Sequence, residues 1–248
     1  MKKTFFMIVL LMGSRLLAIA PLGPAAGNLK KGDSSLGIEY ARAEADYTVK
    51  VLGLSDDYEA QCDGFYGKYV YGIADGSELF VRFGGAKFSS DTDVTLPAGY
   101  DFATSAPGYD FAWGIGAKTT LAKSANVRWG IAAQVTWWQA QGDVTSADYD
   151  LHEVDKGYSV QVAGGPVFDF DALSIYGGPV LFLTKAEGRC TGRVADTIVK
   201  VNGDIEQDLQ LGGYVGLSLE LAKTVDFNVE YQLSADTAVL GIGLTYRF

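Results

Sequence analysis

Two cysteines, six prolines and a single histidine are all that 248 residues contain of those types, and acidic residues outnumber basic ones thirty to twenty. The formal charge of −10 leaves no basic patch for nucleic acid. Past the amino terminus no apolar run approaches the ~20 consecutive residues of a membrane helix. A mature chain that enters a membrane therefore does so as strands. The acidic residues nowhere fall in EF-hand spacing, so a solvated acidic surface is expected rather than a metal site. Nothing in the composition calls for a cofactor.

What the chain has in plenty is glycine, at 31 residues, together with 13 Phe, 14 Tyr and 4 Trp. This suits many short strands separated by turns. The amino terminus has the layout of an export signal: Lys2 and Lys3, an apolar core from Phe5 to Met12, Arg15, and small residues around Ala25 and Ala26. Cleavage there assigns residues 1–26 to a signal peptide and 27–248 to one domain, and takes the charge to −13. Pro21 disfavours a cut after Ala20. No cysteine lies near the expected cut, so a lipid anchor is not indicated, and export places Cys62 and Cys190 in an oxidising compartment.

After a polar, unstructured 27–33, alternation of period two defines ten strands: 34–45, 57–73, 77–88, 109–121, 127–141, 154–170, 173–187, 205–221, 225–233 and 237–248. The ninth is the strictest, setting Val225, Phe227, Val229, Tyr231 and Leu233 against Asp226, Asn228, Glu230 and Gln232. Connections tend to alternate long and short, the longer ones covering 89–108, 142–153 and 188–204. In the tenth strand Leu240, Ile242, Leu244, Tyr246 and Phe248 share one face, and Val239, Gly241, Gly243, Thr245 and Arg247 the other. A terminal strand with a bare apolar edge invites aggregation unless the sheet closes on itself.

This terminal strand resembles that of the bacterial outer-membrane β-barrels, in which a final Phe and alternating apolar residues serve as the assembly signal. Here those residues are Phe248, Tyr246 and Leu244. The resemblance is to the small outer-membrane-protein A, outer-membrane-protein W and adhesin type barrels. It implies an all-β, closed antiparallel up-and-down barrel of about ten strands, with eight as the alternative. It also implies the outer membrane of a Gram-negative bacterium as location, with the barrel-assembly machinery, membrane lipid and lipopolysaccharide as partners, and an extracellular ligand held by the outer loops as a further partner. A lipocalin-like soluble barrel is disfavoured by strands long enough to cross a bilayer, by two aromatic girdles and by mid-strand charges on the polar face. The girdles are Tyr109, Phe111, Trp137 and Tyr158 at the outer rim and Trp129, Phe168, Phe227, Tyr246 and Phe248 at the inner.

The polar face carries Glu39, Lys68, Arg82 and Glu230 at mid-strand, and Lys118, Arg128, Arg247, Asp169, Glu220 and Asp226 near the periplasmic end. Balanced charge in a narrow lumen suits a paired plug better than an ion path. His152 falls in an acidic outer loop with Asp148, Asp150 and Glu153. Against the omptin-like proteases and lipid A deacylases it lacks the expected Asp-His pairing and a fixed serine, Ser146 and Ser159 being unsupported candidates. The repeated Gly-Gly-Pro-Val at 164–167 and 177–180 places Pro166 opposite Pro179 and predicts a bent wall. Cys62 and Cys190 are expected to form a disulfide that holds a loop across the mouth, although their strands sit half-way round the barrel from each other. The expected function is a plugged, non-enzymatic barrel for surface interaction or envelope structure. A narrow porin-like channel is the alternative, and an outer-membrane hydrolase a remote one.

Overall fold

A computed structural model describes residues 19–51, 54–89, 108–145, 149–194 and 197–248. Ten antiparallel strands follow one another: β1 (Ser34–Val51), β2 (Leu54–Ala74), β3 (Ser77–Ser89), β4 (Asp110–Lys123), β5 (Val127–Thr145), β6 (Tyr149–Phe170), β7 (Leu173–Val194), β8 (Thr197–Ala222), β9 (Val225–Leu233) and β10 (Thr237–Arg247). Each pairs with its neighbours in sequence, and β10 returns to β1 to close the barrel. Closure runs from Ser35↔Arg247 to Ala45↔Thr237, and Phe248 extends it, its N–H donating to the Ser34 carbonyl at 3.0 Å. The edge that the terminal strand would otherwise expose is thereby paired.

Alternation decides which face each side chain takes. Ile38, Phe83, Ile115, Leu217, Ile242 and Leu244 stand exposed on the outside, while Lys68, Arg82, Gln134, Gln161, Glu230 and Gln232 are buried inside. Apolar outside and polar inside is the inverse of a soluble barrel, and it is the arrangement that lipid demands. The girdles take shape through register: Trp113↔Trp137 and Trp137↔Tyr158 line up across β4, β5 and β6, with the two indoles stacked at 4.4 Å. At the other rim Trp129, Phe168, Tyr246 and Phe248 are exposed. Short turns join β2–β3, β4–β5, β6–β7 and β8–β9 at this rim, which marks it as periplasmic.

Six strands extend further at the outer end than their sequences suggest, β1 to Val51 and β2 from Leu54 among them. The described residues of the expected loops 142–153 and 188–204 are strand: β5 and β6 pair out to Thr145↔Asp150, and β7 and β8 out to Val194↔Thr197. Above the bilayer no lipid imposes an apolar face, so the pattern fades there while the ladder continues. The β9–β10 hairpin is short, and above it β1 and β8 pair directly, from Thr48↔Glu206 to Lys50↔Asp204. The barrel wall thus stays closed beyond the level at which two of its strands have ended.

The glycine-proline repeat behaves differently from expectation. The β6–β7 ladder breaks between Ala163↔Val180 and Val167↔Tyr176 with the register kept, so Pro166 faces Gly177 rather than Pro179. A Cβ on Gly165 would lie 1.9 Å from the Gly177 carbonyl oxygen, so only glycine lets the two backbones approach here. Residues 27–33, expected to be unstructured, cross the periplasmic rim and are fixed there. Gly76 N–H donates to the Leu29 carbonyl at 2.9 Å, and Gly32 N–H to the Gly72 carbonyl at 2.8 Å.

Candidate functional site

The inner wall is read best from its side chains inward. At mid-height Glu39 of β1 binds Lys68 of β2 at 2.8 Å and Arg82 of β3 at 3.1 Å. Arg82 also donates to Gln134 of β5 at 2.6 Å. Gln134 donates to Gln161 of β6, Gln161 to Gln232 of β9 at 2.7 Å, and Gln232 to Glu230 at 2.6 Å. Two cations, two carboxylates and three amides thus form a belt of ion pairs and hydrogen bonds that runs from β1 round to β9 on the β3–β6 side. Such groups are tolerated in a dry interior only when each is paired.

The belt encloses a segment of the chain itself. Residues 19–29 pass through the lumen without regular structure, with Ile19, Ala20, Leu22, Ala25, Ala26 and Leu29 all buried. Glu230 accepts from two successive backbone amides, Leu22 and Gly23, at 2.8 Å each. Arg82 donates to the Pro21 carbonyl at 3.0 Å and Gln134 to the Ala20 carbonyl at 2.7 Å. Further down, Glu78 accepts from Asn28 and Leu29 at 2.6 and 2.8 Å, and Arg128 and Thr120 each donate to the Gly27 carbonyl at 3.0 Å. The wall is cut to fit. A Cβ on Gly241 would lie 2.6 Å from Pro21, and one on Gly130 would lie 2.4 Å from the Ala26 backbone. About 90 Å³ of free space remains between segment and wall around Glu39, Lys68 and Glu230, and a cavity of about 690 Å³ opens at the periplasmic end between residues 27–30 and Arg128, Asp169, Glu220 and Arg247.

The periplasmic charges pair, though not one to one within the expected set. Arg128 grips Asp169 with two bonds at 2.7 and 2.8 Å, and Arg247 reaches Glu220 at 3.1 Å and Asp226 at 3.0 Å. Lys118 pairs at 3.1 Å with Glu78, an anion that the sequence reading missed. The three glutamines of the belt were missed as well. Their signal was present, since Gln134, Gln161 and Gln232 all sit on the polar face of alternating strands, but amides carry no charge to balance and so attract no notice.

Three expectations change at the outer end. The Cys62–Cys190 bridge is not formed: both are free thiols buried on the inner face. Besides lying half-way round the wall, they differ in height. Cys62 pairs with Ala43, below the β1–β8 ladder, while Cys190 pairs with Val201, above it. His152 is in a strand rather than a loop, and it has the acidic partner thought absent: its Nδ1 lies 2.7 Å from Asp143 Oδ1 on the exposed face of β5–β6. Glu153 turns inward and is buried. Ser159 faces the lumen and bonds Thr184 at 3.1 Å, away from His152, while Ser146 and Asp148 lie outside the described residues. No cluster suited to a metal occurs among the described residues.

Closed antiparallel wall, apolar exterior, aromatic girdles and polar packed interior define an integral β-barrel of the bacterial outer-membrane type. No protein-family profile and no curated protein sequence matches the chain. Among solved structures it is similar to the outer membrane protease OmpT of Escherichia coli, at 11% identity over 88% of this chain and 96% of that one, with a TM-score of 0.49. It is also similar to the translocator domain of the autotransporter NalP of Neisseria meningitidis, at 9% identity over 89% and 90% with a TM-score of 0.47. A third is Ail, the attachment invasion locus protein of Yersinia pestis, at 19% identity over 88% and 100% with a TM-score of 0.32.

Proposed function

We propose that the protein is a closed, non-catalytic outer-membrane barrel that acts in surface interaction or envelope structure. The observation that carries this reading is the paired inner wall: Glu39, Lys68, Arg82, Gln134, Gln161, Gln232 and Glu230 hold one another across the lumen at mid-height, and Lys118–Glu78, Arg128–Asp169 and Arg247–Asp226 pair below them. A barrel of about ten strands has little room inside, and Tyr66, Phe80, Arg82, Phe88, Tyr176 and Phe182 are fully buried within it. The part that reaches beyond the bilayer is the tall crown made by β1, β2 and β5–β8, so contacts with other molecules fall to it. The Asp143–His152 pair on this crown is a surface contact rather than half of a catalytic triad, which would need a nucleophile converging on it.

The test is planar-bilayer conductance of the purified protein. Closed traces across the accessible voltage range are expected. Reproducible unitary steps would replace this reading with that of a narrow channel for small solutes.

A further inference from the structure

The belt described above is more than a neutralised wall, because its bonds to residues 19–29 go to backbone groups at specified positions. Glu230 is buried, with only 2% of its surface exposed, and takes the amides of Leu22 and Gly23. Arg82, wholly buried, and Gln134 take the carbonyls of Pro21 and Ala20. Glu78 and Arg128 do the same for residues 27–29. Gly130 and Gly241 leave hollows that Ala26 and Pro21 occupy. A cut after Ala25 or Ala26 would remove two of the donors that Glu230 accepts from, leaving Gln232, and would empty the Pro21 hollow at Gly241. Taking backbone donors away from a buried carboxylate is unfavourable.

We propose that residues 19–29 are the barrel's resident internal ligand. Signal cleavage falls ahead of them, after Ala18, so that the new amino terminus lies in the lumen as a plug. Peptide-bond hydrolysis between Ala18 and Ile19 releases the leader with Ala18 as its carboxylate and leaves an ammonium on Ile19. Ala18 places a small residue directly before the cut, with Leu16 rather than a second small residue two positions ahead of it, and the bond avoids the Pro21 that obstructs cleavage after Ala20. The lumen is thus a binding site for an extended backbone, entered from the periplasmic rim where residues 27–33 are latched.

This inference deepens the closed-barrel reading and is tested separately from it. Intact-mass measurement on protein extracted from outer membranes should give a chain beginning at Ile19. A chain beginning at Ala26 or Gly27 would overturn the proposal while leaving the conductance result of the parent to decide whether the barrel is closed. A variant with its leader joined directly to Gly27 should conduct, and a synthetic peptide of residues 19–26 added on the periplasmic side should block it at least tenfold. A shortened barrel that folds and stays closed, or that ignores the peptide, refutes the plug. If the shortened barrel does not fold, Gly241→Leu fills only the seat of Pro21 and should open the lumen in part. Unchanged closure of that variant counts equally against the proposal.

Discussion

Arg82 is the residue on which belt and plug both depend, and its replacement can be worked through. The guanidinium is 3.1 Å from Glu39, 2.6 Å from Gln134 and 3.0 Å from the Pro21 carbonyl, and it stands 5.2 Å from the centre of the Phe80 ring. Arg82→Leu removes two hydrogen bonds and one ion pair and leaves Lys68 as the belt's remaining cation against Glu39 and Glu230. Removing one partner of a buried ion pair costs about 3 to 5 kcal/mol, because the other charge stays behind. Loss of a bond to a charged group contributes ~1.5 to 3 kcal/mol each, and much of that is already contained in the first figure. A destabilisation of ~3 to 5 kcal/mol is therefore expected. Adding Glu39→Gln restores charge balance and still offers Lys68 an acceptor, so the double variant should recover about 1 to 3 kcal/mol. The assay is urea unfolding in lipid vesicles, followed by tryptophan fluorescence. A single variant within ~1 kcal/mol of the parent, or a double variant weaker than the single, would refute the charge-balance argument.

Leu217 faces outward at mid-wall, where β8 pairs with Val229 of β9, so Leu217→Arg should cost about 2 to 4 kcal/mol in the same assay. Equal stability would invert the assignment of faces; Val229 and Leu244, on that same face, should tolerate apolar exchange. Deleting Phe248 removes the last rung between β10 and β1, and surface levels should fall more than on deleting His152; equal levels would deny the terminal strand its role as assembly signal. Both thiols are enclosed, so a maleimide should label neither Cys62 nor Cys190 in the folded barrel and both after unfolding. Failure to label after unfolding without reductant would point to a bridge.

Closure, strand number and the inside-outside assignment were legible in the chain because lipid enforces a strict period of two on every residue it touches. The ninth strand shows this most plainly: Val229 and Tyr231 face out, and Glu230 and Gln232 face in. The periplasmic charges were legible only as a balance. Lys118, Arg128 and Arg247 could be set against Asp169, Glu220 and Asp226, but Glu78, which takes Lys118, went unnoticed. Where lipid ends, that constraint ends with it. Residues 142–153 and 188–204 look like loops because both of their faces can be polar, and only the ladder to neighbouring strands makes their described parts strand. The two thiols looked bridgeable because sequence gives no height along the barrel, whereas register sets Cys62 and Cys190 on opposite sides of the β1–β8 junction. The role of residues 19–29 was the least visible. Their small and apolar side chains read as the end of a leader, and the information that seats them lies elsewhere in the chain, in Glu230, Arg82, Gln134 and two glycines that meet only once the barrel has closed.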